Sequence, residues 1–81
     1  MAISREQLIS ILAEADLVGL IAAGGRHDEY AAEADEILKL HGVPQLTEIT
    51  GVFAVSFSKP GACSREKARW IAEEMVRRAD A

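Results

Sequence analysis

The sequence lacks most of the residues that staple a small domain or build a metal site. Its only cysteine is Cys63, so no internal disulfide can form, and no Cys/His cluster is available for a structural metal. We therefore expect a single cytoplasmic domain over residues 1–81, with no cofactor. Aromatic residues make up only 5% of the chain, so its 49% hydrophobic content must supply a mainly aliphatic core.

Long apolar runs and an excess of basic charge are missing as well. The apolar stretch from Leu8 to Ala23 is interrupted by Glu14 and Asp16, which argues against a membrane span and a targeting segment. The net charge is −4, and residues 1–58 hold nine acids against three bases, a balance of −6. Nucleic-acid binding needs the opposite balance, so we expect neither nucleic acid nor a membrane as partner.

The chain is organised around Asp28–Gly42, a segment with the pattern of an amphipathic helix. Asp28 is a favourable N-cap, Glu29 adds charge that the helix dipole favours, and Gly42 is a natural stop. The apolar face is predicted to contain Tyr30, Ala34, Ile37, Leu38 and His41. The solvent face is predicted to contain Glu33, Asp35 and Glu36, with Lys39 placed to pair with Asp35.

A first helix is predicted to begin at Ser4, which can form a capping box with Gln7. Its apolar stripe consists of Leu8, Ile11, Leu12 and Ala15. Asp16 then interrupts the helix and can cap a new turn. Residues 17–22 are predicted to form a second helical turn or a bent continuation that covers one end of the core, before Gly24 and Gly25 end it.

The segment after Pro44 is compatible with two structures. Leu46, Ile49, Phe53 and Phe57 follow a helical spacing, whereas residues 53–58 alternate like a strand. We favour a helix, because no other segment has the pattern of a strand with which this one could pair.

The last helix is predicted to follow a turn at residues 59–61, with Ser64 as its cap. Its core stripe is Ala68, Ile71, Ala72, Met75 and Ala79, and Trp70 lies at the edge of that stripe. Glu73–Arg77 and Glu74–Arg78 have the spacing of favourable ion pairs. The prediction is therefore an all-α fold, a compact four-helix arrangement with an extra short turn or helix near residues 17–22.

Part of the sequence resembles a known family. After the first helix come Asp16-Leu17-Val18-Gly19-Leu20-Ile21, a glycine loop, Asp28-Glu29-Tyr30 and an amphipathic helix with Ile37 and Leu38. This order resembles the YugE-like family of small, uncharacterised, helical bacterial proteins over roughly residues 8–41. Leu17 stands where a proline is usual in that family, and His27 departs from its usual Pro-Glu or Pro-Asp. The resemblance implies a small helical bundle in a bacterium and brings no established activity.

Two weak sequence patterns could indicate a catalytic cysteine or a metal site. Cys63 precedes a helix and Arg65, which would favour its thiolate, but no histidine or acid is identifiable as its base. A loop cysteine or a partly buried one is the simpler interpretation, although an enzyme using Cys63 stays a third hypothesis. His27 and His41 lie at opposite ends of the predicted helix, too far apart to share a metal ion. We expect neither an enzyme nor a metal site.

The strongest functional indication is the acidic run of Asp28, Glu29, Glu33, Asp35 and Glu36, although a solvated helix face also explains it. Such a cluster can steer a basic protein toward this face, and Trp70 is a candidate anchor. The sequence therefore predicts a protein-binding module, most concretely an inhibitor or immunity-type protein that occludes a basic surface of its partner. The alternative is an assembly module that forms a homo-oligomer through the last helix and Phe53–Phe57.

Overall fold

The computed structural model describes residues 3–40, 44–58 and 61–79, and all regular secondary structure in these ranges is helical. This confirms the predicted all-α, four-helix arrangement. The helices are α1 (Arg5–Ala15), α2 (Ala31–Leu38), α3 (Leu46–Ser56) and α4 (Arg65–Ala79). Each helix packs against the next one along the chain, and α4 closes the ring against α1. Within the described residues, α2 therefore lies diagonally opposite α4.

The first helix begins with the predicted capping box. Ser4 Oγ accepts a hydrogen bond from the Gln7 N–H at 3.1 Å, and Gln7 Oε1 accepts one from the Ser4 N–H at 2.9 Å. The predicted apolar stripe is buried, together with Ile9 and Ala13. The helix ends at Asp16, whose backbone is left-handed with φ 44° and whose N–H donates to the Leu12 carbonyl.

Residues 17–24 form consecutive turns rather than a helix, so the predicted extra element is a turn region. Asp16 holds it, because its two carboxylate oxygens accept hydrogen bonds from the N–H groups of Ile21 and Ala22, both at 2.9 Å. The apolar side chains of this region pack against the core, as predicted; they are Leu17, Val18, Leu20 and Ile21. Gly24 has φ 97°, a conformation that costs glycine little.

An aromatic cluster joins α3 to the segment before α2. Tyr30 and Phe53 are fully buried, with ring centroids 6.2 Å apart, and Phe57 stacks on Phe53 at 6.1 Å. Burying a side chain of this size contributes about 1.5–3 kcal/mol. The segment after Pro44 is helical over Leu46–Ser56, which confirms the favoured interpretation. A local hydrogen bond also stabilises the N-terminus of α3, where Glu48 Oε1 accepts from the Gln45 N–H at 2.8 Å.

Ser64 caps α4 as predicted, since its Oγ accepts from the Lys67 N–H at 3.1 Å. The predicted Glu74–Arg78 pair is present at 3.0 Å, but the predicted Glu73–Arg77 pair is not formed. Arg77 binds Glu74 instead, and Arg78 also reaches Glu14 on α1 at 2.6 Å. The two arginines thus converge on one carboxylate at the α1–α4 contact. Most of the predicted turn at residues 59–61 lies outside the described residues.

Candidate functional site

The central helix is shorter than predicted, and Asp28 does not cap it. It begins at Ala31, with Tyr30 in the N-cap position and no side-chain cap bond. Asp28 instead belongs to the preceding turn, where its carbonyl accepts from the Ala31 N–H at 3.0 Å. Tyr30 has φ −101° and ψ 20°, outside the helical range as is usual for an N-cap residue, and its hydroxyl is bound outside the helix. Leu38, predicted for the core, is exposed, while His41 and Gly42 lie outside the described residues.

The anchor of Tyr30 is Asp16. The Tyr30 hydroxyl donates to Asp16 Oδ1 at 2.7 Å and accepts from the N–H groups of Val18 and Leu20 at 3.3 and 3.4 Å. Burial raises the pKa of Tyr30, and so does its hydrogen bond to Asp16. The hydrogen bonds from Tyr30 and from the Ile21 N–H lower the pKa of Asp16.

This contact joins the two motif segments on which the family resemblance rests. Asp16 opens the first of them and Tyr30 closes the second, 14 residues later. The sequence pattern predicts Asp16 as a cap and Tyr30 in the core, but it does not pair them. No periodicity marks such a contact, since the residues belong to no common helix or turn. The structure therefore explains the motif-like residues Asp16 and Tyr30 by a structural role.

The five acids of the predicted partner-binding face do not form one exposed surface. Glu33 is only 7% exposed, so its assignment to the solvent face was wrong. It precedes Ile37 by four residues and therefore lies about 40° from that core residue around the helix. The other four remain at least partly exposed; they are Asp28, Glu29, Asp35 and Glu36.

Local cations offset much of the charge on these acids. Asp35 pairs with Arg5 of α1 at 2.7 Å, not with Lys39 as predicted, and this bond lowers the pKa of Asp35. Lys39 pairs instead with Glu36 at 3.0 Å. Arg26 Nε lies 3.7 Å from Asp28 Oδ1. The acidic face is thus weaker electrostatically than its composition predicts.

An apolar groove lies beside these acids, between α2 and α3. Its volume is about 570 Å³, and it is lined by Ala32, Glu36, Gly51, Val52, Val55 and Ser56. Val55 is 82% exposed, the most exposed large hydrophobic side chain in the described part of the chain. The sequence patterns did not predict this groove. The signal that could have found it is a valine two positions from Phe53, on the side of α3 that helical spacing turns toward solvent.

Trp70 does not join the acids in one site. It is half-buried on α4, as predicted for the edge of the stripe, whereas the acids lie on α2 and the loop before it. Its surroundings form a separate groove of about 260 Å³, lined by Glu14, Ala15, Ser64, Glu66, Lys67 and Trp70 itself. Because α2 and α4 are diagonal in the ring, one small contact cannot cover both.

The residues considered for catalysis and metal binding are poorly placed for either function. Cys63 is 4% exposed, and burial raises the pKa of its thiol, the opposite of what a reactive thiolate needs. His27 is exposed, with Nε2 3.3 Å from Ser10 Oγ. Within residues 3–40, 44–58 and 61–79, no group of three or more His, Cys, Asp or Glu side chains could hold a metal ion. None of the helices described is long and apolar enough to cross a bilayer.

Comparisons with known proteins add no relative. No protein-family model matches the chain, and no curated protein and no solved structure matches it. The resemblance to the YugE-like family therefore stays a prediction.

Proposed function

We propose that this protein is a protein-binding module whose partner docks in the groove between α2 and α3. The observation that carries the proposal is the exposure of Val55 at that groove. Contiguous exposed apolar surfaces with a polar rim mark interaction sites, whereas single exposed apolar side chains are common. Val55 belongs to the first kind, because Val52 and Ala32 line the same groove. Docking would transfer the exposed valine from water to an apolar contact, which is the main source of association free energy.

The rim of the groove indicates the chemistry of the partner. Glu36 lines the groove itself, whereas Asp35 is bound to Arg5 of α1 and does not line it. The pair between Glu36 and Lys39 is solvent-exposed, so it contributes little and can be exchanged for a pair with a cation of the partner. We infer a partner that offers an apolar side chain flanked by lysine or arginine, in the usual arrangement of apolar centre and polar rim.

An inhibitor or immunity-type protein is the most concrete form of this function. The chain would occlude a basic surface of its partner, and its net charge of −4 would raise the rate of encounter with that surface. The groove supplies the short-range contact that charge alone lacks. Trp70 is not part of the proposed site, because it lies on the other side of the ring.

The first test is capture of partners from a cell lysate with the wild-type chain and two matched variants. Val55→Asp places a charge in the groove, whereas Val76→Asp changes an exposed valine on α4. We expect one stoichiometric, basic protein, lost with Val55→Asp and kept with Val76→Asp. A partner that all three chains bind equally would contradict the groove as its site.

The captured protein is then titrated in solution, where avidity on a resin plays no part. We expect Val55→Asp to weaken binding at least about tenfold, as for a residue at the centre of an interface. Glu29→Lys/Glu36→Lys should chiefly slow association and reduce its dependence on salt. Glu33 is left unchanged in this variant because it is buried. An association rate that ignores both charge reversals would contradict the electrostatic part of the proposal.

A further inference from the structure

The outer side of α4 carries charges of alternating sign. Glu66, Arg69, Glu73 and Arg77 follow one another at steps of three and four residues, and all four are exposed. At 100° per residue they lie within about 80° of one another around the helix, opposite the core residues of α4. Beside them Val76 is 40% exposed. A shallow apolar depression of about 390 Å³ is lined by Ala72, Glu73, Val76 and Arg77.

Most of these charges are not used inside the chain. Among the described residues Glu66, Arg69 and Glu73 form no salt bridge, although their spacing along the helix would allow it. Arg77 is exposed but is already bound to Glu74, whose side chain is only 14% exposed. The outer side of α4 thus combines available charges of both signs with an exposed valine, unlike α2, where the exposed acids are largely paired.

We infer that this side of α4 binds the same side of α4 in a second copy of the chain. In an antiparallel pair with its twofold axis at the level of Ile71 and Ala72, Arg69 lies opposite the partner's Glu73. Glu66 then lies opposite the partner's Arg77. The twofold axis repeats both ion pairs, so a single order of charges satisfies both copies. Val76 falls within about one turn of the partner's Arg69, whose aliphatic stem can cover it.

The occupant is a second copy because the pattern is complementary to itself when reversed. Read from either end, the four charges alternate acid and base, so each acid meets a base when the helices run in opposite directions. A parallel pair in register would instead place like charges opposite each other. The inference is independent of the proposed function, since α4 lies diagonally opposite α2 and leaves the groove beside α2 free.

The contact is expected to be weak. The 15 residues of α4 span about 22 Å, and one pair of helix faces buries less than the roughly 800 Å² per partner of a standard stable interface. We therefore expect association at chain concentrations on the order of 0.1–1 mM at low salt, weakening as salt screens the ion pairs.

Sedimentation equilibrium over a concentration series up to about 1 mM tests the inference. The average mass should rise from 8.8 kDa toward twice that value. Arg69→Glu and Glu73→Arg should each shift the equilibrium toward monomer by about tenfold or more, because each places like charges opposite each other. An equimolar mixture of the two variants should dimerise again, since every opposed pair in the mixed dimer joins an acid to a base.

Three further variants locate the contact on the outer side of α4. Lys67→Glu changes an exposed charge on the flank of α4 near α1, outside the inferred face, and should leave the equilibrium unchanged. Val76→Asp should abolish the dimer, whereas Val55→Asp should not affect it. Circular dichroism of each variant confirms that the fold is intact.

Three results would overturn the inference. The first is a chain that stays monomeric at the highest concentration, and the second is a dimer that ignores both charge reversals. The third is a dimer that Val55→Asp dissolves, which would place the contact between copies in the groove beside α2. Restoration of the dimer in the mixture of variants is the most specific support, because non-specific association would not depend on which charges are combined.

Discussion

The two charged amphipathic helices, α2 and α4, are held in place in different ways. α2 has eight residues and no side-chain cap, and it begins at a tyrosine whose hydroxyl is bound elsewhere. α4 has 15 residues, a serine cap and ion pairs within its last turns. Isolated helices of eight residues are unstable in water, so α2 must depend on tertiary contacts. The longer α4 also packs on the core, but its cap and its ion pairs add local support that α2 lacks.

The same two helices differ in how their charges are used. On α2, Asp35 is paired with α1 and Glu36 with Lys39, and Glu33 is buried. On α4, the outer charges Glu66, Arg69 and Glu73 form no ion pair among the described residues. The sequence composition therefore overestimates the negative charge that α2 offers to a partner, and it does not reveal that three outer charges of α4 are unpaired within the part of the chain that the structure describes. Charges form an interaction surface to the extent that they are both exposed and unpaired.

The largest expected effect comes from breaking the support of α2. Tyr30→Ala removes a fully buried ring and should lower the free energy of unfolding by about 3–5 kcal/mol. Tyr30→Phe keeps the ring but loses the hydroxyl, which donates to Asp16 and accepts from two backbone N–H groups. This change should cost about 1.5–3 kcal/mol, because the lost bond to Asp16 involves a charged group. Urea unfolding measures both values.

Amide hydrogen exchange then shows where the structure loosens. In the Tyr30→Phe variant, we expect protection to fall in α2 and in residues 17–24 while α4 stays protected. A loss of protection that is equal in α2 and α4 would contradict the different dependence of the two helices on tertiary contacts.

A change of pH is expected to have an intermediate effect on stability. Two of the carboxylates with a lowered pKa bear on the comparison of the helices: Glu74 lies in α4, and Asp16 binds Tyr30 at the start of α2. Arg77, followed by Arg78, lowers the pKa of Glu74 from 4.5 to about 2, and Tyr30 lowers the pKa of Asp16 below its usual 3.8. Both groups bind a proton more weakly in the folded state. Their contribution to stability is therefore present above the unfolded pKa and is lost as pH falls through the folded one. Stability should decline as the pH is lowered from about 4.5 toward 2.

Carboxyl-carbon NMR titration resolves the two sites individually, and unfolding at each pH gives the total effect. Glu74→Gln should flatten the acid decline, while Tyr30→Phe should remove a separate decline above about pH 10. Tyr30 stabilises the fold at low pH and not at high pH, because its pKa is raised in the folded state. This contribution is therefore lost as the pH rises through the folded pKa. Titration of Glu74 near its ordinary 4.5 would show that the arginine pairs do not persist in solution.

The smallest expected effects come from the exposed ion pairs around α2. Arg5→Gln removes a pair that joins α1 to α2, whereas Lys39→Gln removes one within a single helix end. We expect a small loss of stability for the first and none measurable for the second, both below the effect of Tyr30→Phe. Thermal unfolding at low and high salt provides the comparison. A larger effect of Lys39→Gln would contradict the view that only the pair with α1 supports α2.

Several features could be predicted because they depend on neighbours in sequence. Caps such as Ser4 and Ser64 bind N–H groups three residues away, and the spacing of Ile49 and Phe53 identifies the helical face of α3 without any tertiary information. The interruption at Asp16 was also predicted, but its carboxylate binds the N–H groups of residues 21 and 22, farther along the chain than the local cap that the sequence suggested.

Other features could not be predicted from spacing alone. Lys39 was expected to bind Asp35, but Arg5 of α1 competes for that carboxylate from 30 residues away. Glu33 was assigned to solvent although helical geometry places it close to Ile37, so that error lay in the assumed phase of the helix. The groove at Val55 exists only because α2 and α3 pack side by side, which no single segment reveals.

The sequence by itself determined the all-α class, where α1 and α4 begin, and the apolar stripe of α1, but not the burial of Ile9 and Ala13. Those features follow from hydrogen bonds and periodicities that extend over three or four residues. Only the tertiary structure decided where α2 begins, which acids are paired or buried, and which valines stay exposed. These depend on contacts such as Tyr30 with Asp16 and Arg5 with Asp35, which form only when distant segments of the chain pack together.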